Sequence, residues 1–367
     1  MSLTQVQQGM VGTQTSIPMT YGAIGSGDSS IMKNRIINGA MVIDQRNAGA
    51  SSTPAATGGG TYTIDRFLFQ ASQASKFTVG QNLNSISPPV GFAKYLGFQV
   101  ASSYSIGASD YFRLGQAIEG FNIADLGWGT ANAKTVTLSF QVYSSLTGTF
   151  GGGIQSNGSG YSYPFSVTVT SANTWTPVTV TIVGPTTGTF PTDNTTGMTI
   201  WWSLGTGSTY SGTAGSWSAN NYFSSTGAVS VVGTASATFY ITGVQLEVGS
   251  SATGFEYVNY QTSLANCQRY YQTIGGNGSA SGGGEIVIGG YNTGGLNVYN
   301  NFGFAVVMRT TPTVTIVGTW SVSNASQPQF GLASNYGLRL YASITSAGNG
   351  YTINNVAGNV VTANAEL

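Results

Sequence analysis

Residues 134–143, KTVTLSFQVY, alternate without a break. Val136, Leu138, Phe140 and Val142 fall on one face, and Thr135, Thr137, Ser139 and Gln141 fall on the other. Successive side chains of an extended chain point to opposite faces, so this period of two marks a half-buried antiparallel strand and argues against an amphipathic helix. Related runs recur at 77–82, 93–101, 111–120, 165–169, 175–183 (WTPVTVTIV), 198–204 (MTIWWSL) and 238–248 (TFYITGVQLEV). Strands are further expected at 41–43 and 62–69, and after the linker at 285–290, 296–309, 313–318, 337–343 and 351–355. The tail, 360–367, reads as a final edge strand. One stretch, 262–271, reads as a short helix.

Between the strands lie turn residues in quantity: the chain has 53 glycines among 367 residues. Two glycine-rich stretches, 148–160 and 205–225, read as long surface excursions. About ten strands between residues 34 and 248 suit a two-sheet jelly roll with long loops at its ends. The fold expected is all-β: a jelly-roll β-sandwich followed by a second, smaller β-sandwich. The expected division is an extended N-terminal segment at 1–31, a large domain at 32–257 and a distal domain at 258–367. The join, 238–272, holds the closing strand, a Gly-Ser-Ser step and the short helix. Four residues there, Glu256, Cys267, Arg269 and Tyr270, are the candidate hinge residues. Arg269 is expected to lock the domains together, with Glu256 as its partner.

Charge sets limits on function. Charged residues make up 6% of the chain, against roughly 25% in an ordinary soluble domain. The 11 basic and 11 acidic residues cancel, so there is no field to attract nucleic acid or an anionic membrane. A surface this neutral has little colloidal repulsion and suits a chain whose edges are covered inside an assembly. No apolar run reaches the length of a membrane span, and the opening residues lack the basic and apolar regions of a signal peptide. Cys267 stands alone, so it forms no internal disulfide and reads as a small buried side chain.

The residue inventory leaves little for catalysis. With no histidine, a Ser-His-Asp relay and a histidine metal site are both absent. No ordered run of oxygen ligands reads as a cation loop, and the glycine-rich stretches lack the Gly-Lys-Ser/Thr ending of a phosphate loop. The carboxylates are scattered. Asp65 with Glu119, or Asp44 with Glu247, could meet across the sandwich, but turn caps and arginine partners account for them more simply. No catalytic residue, metal or cofactor is expected.

Sugar contact needs aromatic faces flanked by amides and hydroxyls. The two excursions offer Tyr161, Tyr163, Tyr210, Trp217, Tyr222 and Phe223 as glycan-binding candidates. Tyr291, Tyr299, Trp320, Phe330 and Tyr336 are candidates for a distal tip. The competing reading of all of them is that they pin loops to the sandwich or to a neighbouring copy. Trp201 and Trp202 are adjacent in a strand, so one faces the core and the other faces outward.

Several segments resemble a known family. These are MKNRIINGAMVIDQRNAG (32–49), YTIDRFLF (62–69), RLGQAIEGFNIADLGWGTANAKTVTLSFQV (113–142), FYITGVQLEVGSSATGFEYVNYQTSLANCQRYYQ (239–272) and AVVMRTTPTVTIVG (305–318), with a closing Ala-Glu-Leu. Together they are similar to virion fibre proteins of tailed bacteriophages. The resemblance implies a large domain like a carbohydrate-binding module. It also implies a place on the virion, in the tail or another external appendage, and assembly as a homotrimer. By the same token residues 1–31 would attach to other virion proteins, and the body would face a host surface glycan. The alternative within the virion is a purely architectural part, such as a head decoration, head fibre or tail-junction protein, without receptor binding. The chain departs from the family pattern at Phe67, where Trp is common, and at Ala117, where Arg is common. The second change implies that an ion pair involving Glu119 or Asp65 is rewired or lost.

Overall fold

The alternating segments form strands, and their apolar faces meet in one large core. The computed structural model describes residues 32–55, 58, 60–157, 160–275, 286–354 and 360–367. The segment 1–31 lies outside the described residues, as does Glu285. The strands of the larger body are β1 (Thr61–Ile64), β2 (Phe67–Ala71), β3 (Phe77–Gln81), β4 (Leu96–Val100), β5 (Tyr111–Glu119), β6 (Val136–Ser144), β7 (Gly148–Ser156), β8 (Ser162–Val169), β9 (Thr176–Ile182), β10 (Thr196–Thr206), the two-residue pair β11 (Ser211–Gly212) and β12 (Ser224–Ser225), and β13 (Thr238–Val248). One sheet runs β1-β2-β5-β10-β7-β8 and the other runs β3-β4-β13-β6-β9. The chain passes repeatedly from one sheet to the other, giving the jelly-roll sandwich. The inner faces interlock through rings such as Phe69, Phe77, Phe98 and Phe112, whose neighbouring centroids lie 5.5–6.2 Å apart.

β6 is as its alternation predicts, with Val136, Leu138, Phe140 and Val142 all in the core. Three other expectations are corrected. The stretch from Gly148 to Ser156 is not a surface excursion but a strand inside the six-stranded sheet, between β10 and β8. Its glycines 151–153 leave room above and below. A Cβ on Gly152 would lie 2.3 Å from the Phe165 ring, and one on Gly153 would lie 2.9 Å from the Phe223 backbone. Residues 41–43 are not a strand. Asn38, in the left-handed region at φ 62°, clasps the backbone of Ile43 with its side-chain amide, and Ile36, Met41 and Ile43 are buried. The tail is not at an edge, as shown next.

After β13 come one helix, α1 (Tyr260–Gln268), and the strands β14 (Tyr271–Ile274), β15 (Val287–Asn292), β16 (Asn297–Gly303), β17 (Thr313–Ile316), β18 (Ser321–Ser323), β19 (Gln329–Ser334), β20 (Gly337–Ser343), β21 (Gly348–Ile353) and β22 (Val361–Asn364). They form three three-stranded sheets, β14-β22-β17, β15-β21-β18 and β16-β20-β19. A core of Ile286, Ile288, Trp320, Leu338, Leu340, Ile344 and Val361 joins them. The tail strand β22 pairs on both sides and so lies at the centre of its sheet. Residues Asn34–Leu367 form one compact unit, within which this core and that of the sandwich are separate clusters.

The join between the cores is polar and dense. Asn259 caps α1 by accepting the Thr262 backbone N–H. Arg269 donates twice to the carboxylate of Glu119, at 2.9 and 2.5 Å, and the Tyr270 hydroxyl donates to the same group at 2.6 Å. Glu119, and not Glu256, is therefore the partner of Arg269. Glu256 instead accepts the Asn34 backbone N–H at 2.6 Å. Glu366 pairs with both Arg46 and Arg66. The guanidinium of Arg66 lies 3.6 Å over the Tyr270 ring, and that of Arg46 lies 3.7 Å over the Tyr271 ring. Arg66 also donates to the Ala117 carbonyl. Cys267 is buried, and burial pushes its thiol well up.

Candidate functional site

The outward face of the five-stranded sheet carries a cluster of four aromatic side chains. Register places Gly80, Gly97, Tyr240 and Tyr143 in one row across β3, β4, β13 and β6. Their strand neighbours Phe98, Phe239, Ile241 and Val142 point into the core, so by alternation this row points away from it. Trp175, just before β9, extends the row beside Tyr143, with ring centroids 5.5 Å apart. Tyr95 closes a ring of four, packing on Trp175 and Tyr240 at 5.7 and 5.3 Å, while Tyr143 stacks on Tyr240 at 5.4 Å. Glycine is required in this row. A Cβ on Gly97 would lie 2.7 Å from Leu83 and 2.9 Å from the Tyr240 ring.

The loop between β3 and β4 decides which of the four rings remain available. It satisfies their polar groups: the Tyr95 hydroxyl donates to the Leu83 carbonyl, Asn84 donates to the Tyr240 hydroxyl, and the Trp175 indole N–H donates to the Ser87 carbonyl. Tyr95 and Tyr240 are buried as a result, and burial pushes the Tyr95 phenol up to about 12. Tyr143 and Trp175 stay half-buried, so part of each ring is open. Thr78, Gln99 and Gln141, also partly exposed, share this face by register. The one carboxylate placed on this face by strand register, Glu247, is buried at its far end and accepts from Gln245 and Thr253. The result is an uncharged platform of aromatic carbon bordered by amides and a hydroxyl, able to hold an apolar face and hydrogen-bond its rim.

The aromatics expected at the excursions form two other groups. Trp217 stacks on Tyr161 at 5.4 Å with planes 7° apart, and Tyr163, Phe190 and Trp128 pack around it. The Trp217 indole donates to the Val183 carbonyl, and the Tyr161 hydroxyl contacts that of Thr187. This cluster ties loops together. In the second group Phe223 is buried, stacked on Tyr210 at 4.8 Å. Arg113 lies between Phe223 and the outward-facing Trp201, 3.9 Å from each ring, while Trp202 fills the core. Burial pushes the Arg113 guanidinium down to about 10. Tyr222 is partly exposed and lies over Gly212. Of the tip candidates, Tyr291, Tyr299, Phe330 and Tyr336 are exposed. Trp320 is not at a surface: it is a core residue, and its indole donates to the Val317 carbonyl.

Tyr143 and Trp175 were missed as a site because each ends or precedes an ordinary strand. Only the cross-strand register, which a single sequence does not reveal, sets them side by side. The carboxylates Asp65 and Glu119 do lie at the same join, but each has its own partners. Gln45 donates twice to Asp65, and burial pushes that carboxyl up to about 6 against the opposing pull of Arg46 and Gln45. Burial also acts to raise Glu119, but the hydrogen bonds from Arg269 and Tyr270 outweigh it and hold the group below its ordinary value. Asp44 accepts from the backbone of Asn47 and Gly49, and so caps a turn. Among the described residues no group of three metal-ligating side chains gathers.

No protein-family model matches the chain, and a search of curated proteins finds no match. Similar solved structures include a phage tailspike domain and carbohydrate-binding modules. The enzymatically active domain of tailspike protein 4 from bacteriophage CBA120 matches with a TM-score of 0.30 at 10% identity, covering 54% of this chain and 22% of that one. The match thus spans about a fifth of that domain's length. The module TmCBM61, solved with β-1,4-galactotriose, matches at 0.28 and 13% identity, over 54% of this chain and 100% of its own. A family 11 carbohydrate-binding module from Clostridium thermocellum matches at 0.26 and 12% identity, over 56% and 99%.

Proposed function

We propose that this chain is a non-enzymatic structural protein of a tailed-phage virion, a tail fibre whose large sandwich contacts host surface glycan. In this reading residues 1–31 attach to other virion proteins, 32–257 form the glycan-facing body and 258–367 form a distal domain. Copies associate as homotrimers, so that weak sites act together through avidity. The observation that carries the reading is the half-open pair Tyr143 and Trp175 on an outward sheet face, with their polar neighbours and without charge. This surface suits the side-on approach of a neutral polysaccharide.

The test is binding of the full chain to neutral surface polysaccharide from candidate hosts, by affinity electrophoresis and calorimetry. Trp175→Ala and Tyr143→Ala are each expected to weaken binding at least about tenfold, the loss of about 1.4 kcal/mol of contact, with the β-sheet circular dichroism unchanged. Unchanged binding by both variants would overturn the assignment of this face.

A purely architectural role is the second reading, and the C-terminal body favours it. Register sets Val287, Tyr291 and Tyr351 on one sheet face, where they are 45%, 72% and 47% exposed. No acidic residue occurs between Glu285 and Glu366. An apolar face of this kind suits burial against another copy or another virion protein. Absence of polysaccharide binding by the intact chain would favour this second role.

A further inference from the structure

The sheet β16-β20-β19 turns one face to the C-terminal core and the other to solvent. Val298, Phe302, Leu338 and Leu340 pack inward, so Tyr299, Asn301, Arg339 and Tyr341, which alternate with them, lie on the outward face. Register sets Asn301 opposite Arg339 and Tyr299 opposite Tyr341, with Gln329 of β19 beside Tyr341.

The arginine on this face differs from its neighbours in the chain. Residues 258–367 hold three basic side chains, all arginine. Arg269 is engaged by Glu119, and Arg309 donates to the carbonyls of Asn194, Ala365 and Glu366. Arg339 is half-buried, yet its side chain makes no hydrogen bond or ion pair among the described residues. Its Nε is shielded from solvent, whereas its two terminal nitrogens are not. The guanidinium carbon lies 4.9 Å from the centroid of the Tyr299 ring, which packs on Tyr341 at 5.6 Å. The Tyr341 hydroxyl donates to Gln329, and Asn297 donates to the Tyr299 hydroxyl, so both rings are held beside the cation. Contact with a ring positions a guanidinium without using its N–H donors. Asn301 is exposed, and its amide makes no hydrogen bond among the described residues. Directly opposed residues of an antiparallel pair have Cβ atoms roughly 4.5–5.5 Å apart, so this amide and the guanidinium can serve one ligand. A positioned guanidinium with open terminal N–H groups and no carboxylate matches a planar anion.

We propose that Arg339 and Asn301 form a subsite for an acidic sugar, a hexuronate residue of a polysaccharide. The terminal nitrogens of Arg339 would take the carboxylate side by side, and the Asn301 amide would bond a ring hydroxyl. The surrounding side chains on this face, Asn297, Gln329 and Ser343, are amides and a hydroxyl, which suit the hydroxyls of a sugar better than an apolar peptide side chain. The subsite lies in the C-terminal body and does not depend on the uncharged Tyr143–Trp175 platform, which suits a neutral chain.

The test is calorimetry on the full chain with trimers of galacturonate and of glucuronate, with their methyl esters, and with a triglutamate peptide as a carboxylate source without a sugar. At least one uronate trimer is expected to bind, with its ester and the peptide at least about tenfold weaker, as loss of a charge-assisted hydrogen bond implies. Arg339→Gln is expected to weaken binding of the trimer to the same extent. Arg339→Lys keeps the charge but loses the planar fork, and is expected to fall between the two. Trp175→Ala is expected to leave the affinity unchanged. The proposal is overturned if neither trimer binds, if the ester binds as well as the acid, or if Arg339→Gln binds as the parent does. Equal binding of triglutamate would overturn the sugar in favour of an acidic protein segment. Loss of binding in Trp175→Ala would also overturn the proposal, by locating the ligand on the sandwich.

Discussion

Asp65 is fully buried, and its environment works in two directions. Gln45 donates to both of its oxygens and Arg46 lies near, yet burial dominates and raises the carboxyl from 3.8 to about 6. The folded protein therefore binds more protons at this site than the unfolded chain does between about pH 4 and 6. Stability from this group is full below that window and declines as pH rises through it. Two neighbours complicate the profile: Glu366 opposes the charge on Asp65, and Glu119, held low, loses its contribution only in more acid solution. The clean measurement is thus a difference. Chemical unfolding of the parent and of Asp65→Asn between pH 4 and 7 should show the parent losing on the order of 2–3 kcal/mol relative to the variant. A constant difference would show that Asp65 is not raised. Single residues were also the least legible level of the sequence. Arg269 stood out as a locking residue, but its partner Glu119 lies 150 positions away. Pairing at that distance depends on how two bodies meet, which local pattern does not encode.

Among elements, alternation was a dependable guide and glycine was not. β6 and β9 fall where their period-two runs lie, because one face of each is in the core and the hydrophobic pattern records it, whereas the alternation of β13 changes phase at a register shift between Thr242 and Gln245. β7 was unreadable for the opposite reason. Its glycines have no side chains to alternate, and the space beside the strand is filled by the Phe165 ring and by the segment from Tyr222 to Ser225. The platform of Tyr143 and Trp175 was hidden in a similar way, since it exists only across strands. The glycine account predicts that Gly152→Ala is poorly tolerated. Its Cβ would lie 2.3 Å from the Phe165 ring and 2.5 Å from the Trp201 carbonyl oxygen, and the backbone contact cannot rotate away. A loss of about 1–3 kcal/mol is expected in urea unfolding, the usual cost of overpacking. Gly215→Ala, with nothing within 4 Å of its Cβ but a φ of +88°, is the comparison that separates backbone strain from crowding. Equal losses in the two variants would mean that crowding at β7 is not the cause.

For the molecule as a whole, composition and alternation revealed an all-β chain, while the way its parts are joined came only from the structure. Two cores meet across a layer of arginines, carboxylates and tyrosines, and that layer connects residues very far apart in sequence. Arg46 and Arg66 reach Glu366 over 320 and 300 positions. Such a contact must first close a long loop, so its entropy is spent before its bonds form. Contacts of this kind belong late on a folding path, and interactions missing from the transition state act mainly by slowing escape from the native state. Glu366→Ala leaves the buried guanidinium of Arg66 and the partly buried one of Arg46 without their carboxylate, an equilibrium loss of about 3–5 kcal/mol. Most of that loss should appear as faster unfolding, with the refolding rate nearly unchanged, in stopped-flow or manual-mixing experiments. If refolding slows instead, the join forms early and guides the rest. Where unfolding is the slow step, the folded state is measured by a lifetime, and the polar layer between the two cores would lengthen it.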